Sequence, residues 1–236
     1  SLDIELERVQ NLFAPFQAIS TTPASCLMWQ DAFTYALARK GNFSFILALY
    51  GNSVYLPLPP RPFTHESLNI AFEYLKRVNG PGPGVSRIEG LSPQQKEQAV
   101  SWGLSIRPTL TEYIYDRPLL AGLHGDPYRA KRAEVNHFLK ENQVLLRPYR
   151  KTDLTACGEL FELWKTQRLP SLQGEMGEKM ILSAQKAHLR ALTQGEDWGL
   201  DAWVVITGKK LAGYTLGGTI NPSTYGIYIE VTDLTV

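Results

Sequence analysis

The sequence predicts an α/β protein with mixed α+β sheets, built as two halves of similar order. Segments with the apolar spacing of amphipathic helices alternate with pairs of short apolar runs joined by turn residues, a pattern typical of β-hairpins. Two helical segments also precede a hairpin twice, at residues 3–38 before 43–58 and at residues 153–194 before 201–217. No residue-level identity relates these stretches, so the duplication is inferred from their order alone.

The composition is that of an ordinary globular protein of 236 residues, with 44% hydrophobic and 20% charged side chains. A net charge of +1 gives no support to DNA binding, so an anionic partner must be recognised by a local patch. Cys26 and Cys157 lack metal-binding spacing, and we expect two reduced thiols. Since no long apolar run or signal-peptide pattern occurs, we expect a cytoplasmic protein. Peripheral contact with the inner face of the membrane is the alternative.

The first half begins with two predicted helices and a hairpin. Residues 3–20 carry apolar side chains at the spacing of an amphipathic helix, and residues 27–39 form a second, less regular helical stretch. The dipeptide Gly51-Asn52 tolerates the positive φ of a tight turn and separates two apolar runs. Residues 43–58 are therefore predicted to form a hairpin.

Two capped helices and a strand are predicted to follow. Thr64 and Gly80 are suitable caps for the helix between them, which has one apolar face. Ser92, followed by Pro and then by Gln95 three residues later, is typical of a capping box at a helix start. Residues 104–117 return to the composition of a strand.

A basic helix at residues 126–142 is predicted to connect the two halves. Asp126 is expected to cap it, with Pro127 in its first turn. Its apolar side chains are expected to face a core: Tyr128, Val135, Phe138 and Leu139. The chain then divides into an N-terminal domain at residues 1–125, this connecting helix, and a C-terminal domain at residues 143–236.

The second half is predicted as a strand, two helices, a hairpin and a final strand. Residues 143–150 have strand composition, and Asp153 is expected to cap the helix that follows. Another helix covers residues 178–194, and a hairpin turns around Gly208. Residues 225–234 form the last strand. Because a terminal strand leaves a sheet edge open, we expect a further segment beyond it and an incomplete second domain.

The connecting helix lies in the most positive stretch of the chain. Residues 126–151 contain seven Lys or Arg side chains against three Asp or Glu. Arg129, Arg132 and Asn136 fall on one helical face with Lys131 nearby, and such donors suit a phosphate group. The alternative is a solvated linker helix whose cations pair with carboxylates of both halves.

The segment "EYIYDRPLLAGLHGDPYRAKRAEVNHF", Glu112 to Phe138, resembles the central motif of the phosphatidylglycerol lysyltransferase C-terminal-like family. "SRIEGLSPQ", "LAGYTLG" and "YGIYIE" are similar to other parts of that family, so the resemblance covers nearly the whole chain. It implies two tandem GNAT-like acyltransferase domains. The chain departs from the family in having Ala133 close behind Lys131 and Arg132, and in ending before the helix that would present backbone N–H groups to a donor pyrophosphate.

The same resemblance supplies two candidate catalytic side chains. Enzymes of the GNAT type commonly place a general base on the strand beside the acyl donor, and Glu230 lies on the matching strand between apolar neighbours. Tyr214 is a candidate acid or acceptor-binding group, with core packing as its alternative. Gly213 and Gly217 are interpreted as places where a ligand could approach the backbone. For Glu230 the alternative is an edge-strand charge that prevents aggregation.

Other sites have weaker sequence support. His124 and His137 flank the basic helix but cannot share a helical face, and no spacing of His, Cys or Asp predicts a metal. The sequence "GPGPG" lacks the residues of a phosphate loop and is predicted to form a turn. We expect no covalently bound cofactor.

The leading functional prediction is an acyltransferase. The donor would be an acyl-CoA or an aminoacyl-tRNA, so transfer RNA is an expected partner. The acceptor would be the amine or hydroxyl group of a small molecule or a lipid head group, attacking the donor directly. The alternative is a catalytically inactive binding or scaffold protein with the same fold.

Overall fold

The structure is a computed structural model that describes residues 18–80, 86–108, 112–168 and 175–235. The predicted helix at residues 3–20 and the predicted turn at "GPGPG" therefore lie largely outside the described residues. The described helices are α1 (Pro23–Met28), α2 (His65–Asn79), α3 (Pro93–Ser101), α4 (Arg117–Gly122), α5 (Arg129–Glu141), α6 (Leu154–Arg168) and α7 (Glu175–Gln194). The strands are β1 (Thr34–Lys40), β2 (Phe43–Tyr50), β3 (Ser53–Tyr55), β4 (Val144–Pro148), β5 (Leu200–Thr207), β6 (Lys210–Asn221) and β7 (Thr224–Thr232).

The strands form two antiparallel sheets, which confirms the predicted mixed α/β class. The sheet of the first half has the order β1-β2-β3, and the sheet of the second half has the order β4-β5-β6-β7. Both predicted hairpins are present. Each turns at a glycine with positive φ, Gly51 at 58° and Gly208 at 61°, because an L side chain is disfavoured at that backbone angle.

The predicted helix over residues 27–39 is wrong for most of its length. Helix α1 ends at Met28, and Thr34 to Lys40 form β1, which pairs with β2 from Thr34 opposite Leu49 to Lys40 opposite Phe43. Tyr35 and Leu37 point to one face of the sheet, where they pack beside Leu27. Strand pairing with β2 thus overrides a local sequence that fits either structure.

Helix α2 is capped and packed as the sequence predicts. The Thr64 hydroxyl accepts the Ser67 N–H at 3.1 Å, and the Ser67 hydroxyl accepts the Thr64 N–H at 3.0 Å. Leu68, Ala71 and Leu75 form the buried face of α2. The predicted capping box of α3 is also confirmed, with Ser92 and Gln95 as its partners.

The strand predicted at residues 104–117 is absent from the described part of that segment. Residues 104–108 and 112–116 are irregular, and α4 begins at Arg117. Tyr113 and Ile114 are 82% and 90% exposed, so their strand-forming side chains pack on no core. A segment with strand composition forms no strand without a partner that satisfies its backbone groups.

The second half matches its predicted elements closely. Helices α6 and α7 cover one face of the sheet, and Cys157, Phe161, Val204 and Leu216 contribute to a single core there. Asp153 departs from its expected role, because its carboxylate accepts two hydrogen bonds from the Arg147 guanidinium, at 2.7 and 2.8 Å, and the Arg150 N–H at 2.8 Å. This ion pair joins the end of β4 to the turn before α6.

The basic helix α5 is present, but its predicted burial is wrong. No residue of α5 is buried, and Val135 and Leu139 are 44% and 54% exposed. Asp126 begins a 3-10 turn and its side chain makes no capping hydrogen bond. Instead, α1 joins the two cores: Met28 packs in the core of the second half, while Leu27 packs with side chains of both halves.

Candidate functional site

The exposed surface of α5 contains the predicted phosphate-binding side chains. Lys131 forms an ion pair with Glu134, with 2.8 Å between Nζ and Oε2, and both side chains are exposed. Arg129 and Asn136 have no side-chain hydrogen bond among the described residues. Their guanidinium and amide donors are therefore open to an anionic ligand, which makes Arg129 and Asn136 the freest members of the predicted patch.

Arg132 makes a different contact. Its Nη1 donates to the carbonyl oxygen of Gly125 at 2.7 Å and to that of Leu123. Leu123 caps the C-terminal end of α4 in the left-handed conformation, with φ of 47°. A cation at this position satisfies two carbonyl groups of the segment that follows α4 and complements the dipole of that helix. Arg132 thus holds the α4–α5 connection in place, with only part of its guanidinium left for a ligand.

The two histidines beside α5 play local roles. His137 lies one helical turn before Glu141, with 3.4 Å between the ring nitrogen and the carboxylate. The ring of His124 packs on Gly122, where an added Cβ would overlap it. Within the described ranges, no group of three or more His, Cys, Asp or Glu side chains is arranged to hold a metal ion.

Glu230 lies on the solvent-facing side of β7, the edge strand of the second sheet. Its neighbours Ile229 and Val231 point to the opposite side, into the core. The expected apolar surrounding of the carboxylate is therefore wrong. Across the sheet, Glu230 pairs with Thr215, which in turn pairs with Trp203. An exposed carboxylate on this face of β7 is open to an acceptor from solvent.

A β-bulge immediately precedes Glu230. Leu216 pairs with Ile229 and Gly217 pairs with Ile227, so Tyr228 is the extra residue in β7. Its hydroxyl donates to Thr22 Oγ1 at 2.9 Å, at the start of α1. Sequence patterns did not indicate this contact, because Thr22 and Tyr228 lie 206 positions apart in the chain.

Tyr214 is buried on the core side of the second sheet, with 3% of its surface exposed. A hydrogen bond of 2.9 Å joins its hydroxyl to Nδ1 of His188, and the His188 ring packs edge-on against Phe161. Burial raises the pKa of Tyr214 and lowers the pKa of His188 to about 4, so both groups are neutral near pH 7. The hydroxyl that was predicted as an acid therefore lies in the core, away from the exposed face that carries Glu230.

Two further polar groups lie in this part of the second half. Cys157 is fully buried, and burial raises the pKa of its thiol to about 12, with a further contribution from Asp153. The Tyr149 hydroxyl is buried without a hydrogen-bond partner among the described residues. Cys26, in α1, is also buried, and both cysteines are unpaired, as predicted for reduced thiols.

The predicted ligand approach at two glycines of β6 is wrong. A Cβ at Gly217 would lie 2.4 Å from the Tyr225 ring, and a Cβ at Gly213 would lie 3.2 Å from the Val231 carbonyl oxygen. Neighbouring groups of β7 thus occupy the space that the sequence interpretation assigned to a ligand. The Tyr225 hydroxyl is held there by a hydrogen bond of 3.1 Å to Asp201.

Glu112, the first residue of the central motif, connects that motif to the start of the described chain. Its carboxylate accepts the backbone N–H groups of Ile19 and Ser20, at 3.0 and 3.3 Å, and the Ser20 hydroxyl at 3.2 Å. In the described part of the chain, no hydrogen bond or ion pair joins Glu230 or Tyr214 to α5. The described residues thus show no direct hydrogen bond or ion pair between the predicted catalytic groups and the predicted phosphate-binding helix.

The comparisons with known proteins come from both sequence and structure. The family model described as "Phosphatidylglycerol lysyltransferase, C-terminal" matches residues 21–232. A crystal structure of a conserved protein of unknown function from Bacteroides thetaiotaomicron VPI-5482 is similar over 99% of this chain and 79% of that chain, with 19% identity and a TM-score of 0.78. The crystal structure of PaiA N-acetyltransferase from Thermoplasma acidophilum in complex with coenzyme A matches 39% of this chain and 60% of that chain, with 14% identity and a TM-score of 0.32. No curated protein matches the sequence.

The family match covers most of the chain and supports an acyltransferase-like fold. The likeness to the Bacteroides protein concerns the fold alone. Over the described ranges, no helix has both the length and the hydrophobicity that a membrane span requires.

Proposed function

The chain belongs to the phosphatidylglycerol lysyltransferase C-terminal family, and from that membership we propose that it is an acyltransferase built from two GNAT-like halves. The observation that carries the proposal is the exposed carboxylate of Glu230 beside the bulge in β7. A carboxylate on an open sheet face can accept a proton from an acceptor that approaches from solvent.

The proposed reaction is direct transfer. The amine or hydroxyl group of the acceptor attacks the carbonyl carbon of a thioester or ester donor, and Glu230 takes the proton that the nucleophile loses. The bond from the carbonyl carbon to the donor sulfur or oxygen breaks, and the departing thiol or hydroxyl group regains a proton. An acyl-CoA or an aminoacyl-tRNA fits as donor, and a small amine or a lipid head group fits as acceptor.

The proposed anchor for the anionic part of a substrate is the exposed face of α5. Arg129 and Asn136 supply donors that nothing in the described chain uses, and Lys131 adds a charge that an exposed ion pair with Glu134 neutralises only weakly. A phosphate of the donor or of the lipid head group would bind there. Arg132 would contribute mainly by holding α4 and α5 together.

A second candidate is a binding protein without catalytic activity. It is favoured by the positions of Tyr214 and Arg132, because the protein itself uses both side chains, one in a core hydrogen bond and one on backbone carbonyls. In this case anionic ligands would still bind to α5, but no transfer would follow.

One experiment with two variants separates these functions. The double variant Arg129→Ala/Lys131→Ala should weaken binding of acyl-CoA, aminoacyl-tRNA or anionic vesicles, and reduce the slope of log K against log salt by about one for each lost phosphate contact. Glu230→Gln should leave binding intact and lower the transfer rate by about 10²- to 10⁴-fold. Binding is measured by titration at several salt concentrations, and transfer by following a radiolabelled acyl group.

Matched controls remove the same charges elsewhere. Lys96→Ala/Lys209→Ala takes two exposed cations from other surfaces, and Glu159→Gln takes an exposed carboxylate from α6. Equal binding by the Arg129/Lys131 variant and the wild type for all three ligands would exclude α5 as the anion site. Binding without any transfer by the wild type would favour the inactive alternative.

A further inference from the structure

A cavity of about 500 Å³ lies in the first half, between the β1–β2 hairpin and α2. It is lined along the sheet by Ala38 and Leu47 and along the helix by Ile70 and Ala71. Volumes of this size are typical of pockets that enclose a small organic ligand. None of the α5 residues, Tyr214 or Glu230 lines this first-half cavity, so it is distinct from the α5 surface and from the face of β7 that carries Glu230.

The inner wall of the first-half cavity is apolar. Phe45 and Leu56 are buried at 5% and 0% exposure, and they belong to the core cluster that packs the sheet against α2. The two small side chains Ala38 and Ala71 line the cavity from the sheet and from the helix.

The mouth of the first-half cavity is cationic. Arg39, Lys40 and Arg77 line it together with a single carboxylate, Glu73. All four side chains are exposed, and none forms a salt bridge within the described part of the chain. The Arg77 guanidinium lies 5.6 Å from the centre of the Tyr74 ring, a long cation–π contact that leaves its hydrogen-bond donors free.

An apolar wall with an unpaired cationic mouth selects for a ligand with two parts. The apolar part gains free energy by leaving water, and an anionic group at the mouth meets two or three cations against one carboxylate. A neutral apolar molecule would leave those cations uncompensated, while a free inorganic anion would leave the apolar wall uncovered.

We propose that the first-half cavity binds an anionic amphiphile, a molecule with an acyl-chain or aromatic body and a single carboxylate or phosphate group. The body lies between β1 and α2, and the anionic group lies at the mouth beside Lys40 and Arg77. This site goes beyond the acyl-transfer proposal and does not depend on Glu230 or on α5.

The test is calorimetric titration with four probes: dodecanoate, dodecyl phosphate, uncharged dodecanol and inorganic phosphate. The wild type should bind one equivalent of dodecanoate or dodecyl phosphate, and the tighter of the two identifies the anionic group. Dodecanol and inorganic phosphate should each bind at least about tenfold more weakly, because each satisfies only one part of the site. Circular dichroism during the titration confirms that the protein stays folded.

Two sets of variants locate the binding. Ala38→Phe should fill the cavity and weaken dodecanoate binding by about tenfold or more, whereas Ala36→Phe, on an exposed position of the same strand that does not line the cavity, should not. Lys40→Gln/Arg77→Gln should weaken anion binding and remove its salt dependence, whereas Lys76→Gln should not. These last substitutions are on the surface, so they test the site even where Ala38→Phe fails to fold.

The proposal is overturned by either of two results. One is that neither dodecanoate nor dodecyl phosphate binds the wild type. The other is that binding is unchanged in both Lys40→Gln/Arg77→Gln and a folded Ala38→Phe variant, which would place the amphiphile elsewhere on the protein.

Discussion

The hydrogen bond between His188 and Tyr214 places two titratable side chains at the core of the second half. Each group satisfies a polar atom of the other, so their burial carries less cost than that of isolated polar groups. The same hydrogen bond accounts for the position of Tyr214, since its hydroxyl is directed to His188 and away from solvent. Tyr214, a catalytic candidate from the family resemblance, thus contributes to core packing in the folded protein.

His188 should make the stability of the protein depend on pH. Burial lowers its pKa from 6.5 to about 4, so between these pH values the unfolded chain binds a proton at His188 that the folded chain does not. The contribution of neutral His188 to the free energy of unfolding is fully present above pH 6.5, and it is lost as the pH falls through 4. In His188→Gln, the loss of unfolding free energy between pH 7 and pH 4 should be smaller by roughly 3 kcal/mol.

Urea denaturation at a series of pH values measures this difference. His137→Gln is the matched control, because His137 is exposed and pairs with Glu141. An unchanged pH dependence in His188→Gln would show that His188 is solvated in the folded protein.

At the scale of elements, α2 and β1 show when local sequence is sufficient. Helix α2 has an apolar stripe, Thr64 as its N-cap residue and Gly80 after its last residue, and all three agree with the observed helix. Strand β1 has no such set of signals, and its residues also fit a helical pattern. Its structure depends on seven paired positions with β2, which a local pattern does not reveal.

The capping box of α2 should contribute measurably to stability. Thr64→Ala removes the acceptor of the Ser67 N–H, and we expect the free energy of unfolding to fall by about 1 kcal/mol. Thr166→Ala is the control, because Thr166 is exposed inside α6 and its hydroxyl donates to the Glu162 carbonyl one turn earlier. Alanine is the better helix former there, so this variant should be neutral or slightly stabilising.

Thermal unfolding of the two threonine variants, followed by circular dichroism at 222 nm, compares them directly. Equal stability of Thr64→Ala and the wild type would show that another group replaces the cap.

At the scale of the whole molecule, α1 is the element that the two halves share. Leu27 packs with Ile46 and Leu58 of the first half and with Ile220 of the second. Arg190 and Asp31 add an ion pair of 2.8 Å across the same junction, and Tyr228 bonds to Thr22. The two sheets are therefore coupled through a six-residue helix, while the predicted connector α5 lies exposed outside both cores.

Leu27→Ala should destabilise both halves together. Leu27 is 1% exposed, and we expect a loss of about 2–5 kcal/mol in the free energy of unfolding, from lost burial and the cavity left behind. Hydrogen exchange should increase in β2 and in β6. The control Leu139→Ala, at a 54% exposed position of α5, should change neither. Increased exchange confined to one sheet would show that the halves unfold independently.

Much of this protein follows from sequence alone, because the relevant signals act over a few residues. Apolar spacing, caps and turn glycines predicted α2, α3, α6, α7 and both hairpins. The family motif from Glu112 to Phe138 predicted the family that the match over residues 21–232 shows. The sequence also predicted the basic face of α5, and the structure leaves the side chains of Arg129 and Asn136 on that face exposed and without side-chain hydrogen bonds among the described residues.

Only the tertiary structure decided which side chains the folded protein uses for itself. Arg132 bonds to backbone carbonyls, Tyr214 bonds to His188, and the ring of Tyr225 fills the space beside Gly217. The tertiary structure also decided that Thr34 to Lys40 form a strand and that residues 112–116 do not. Each outcome depends on which residues meet in the folded chain, and a pattern read along the sequence contains their spacing but not that pairing.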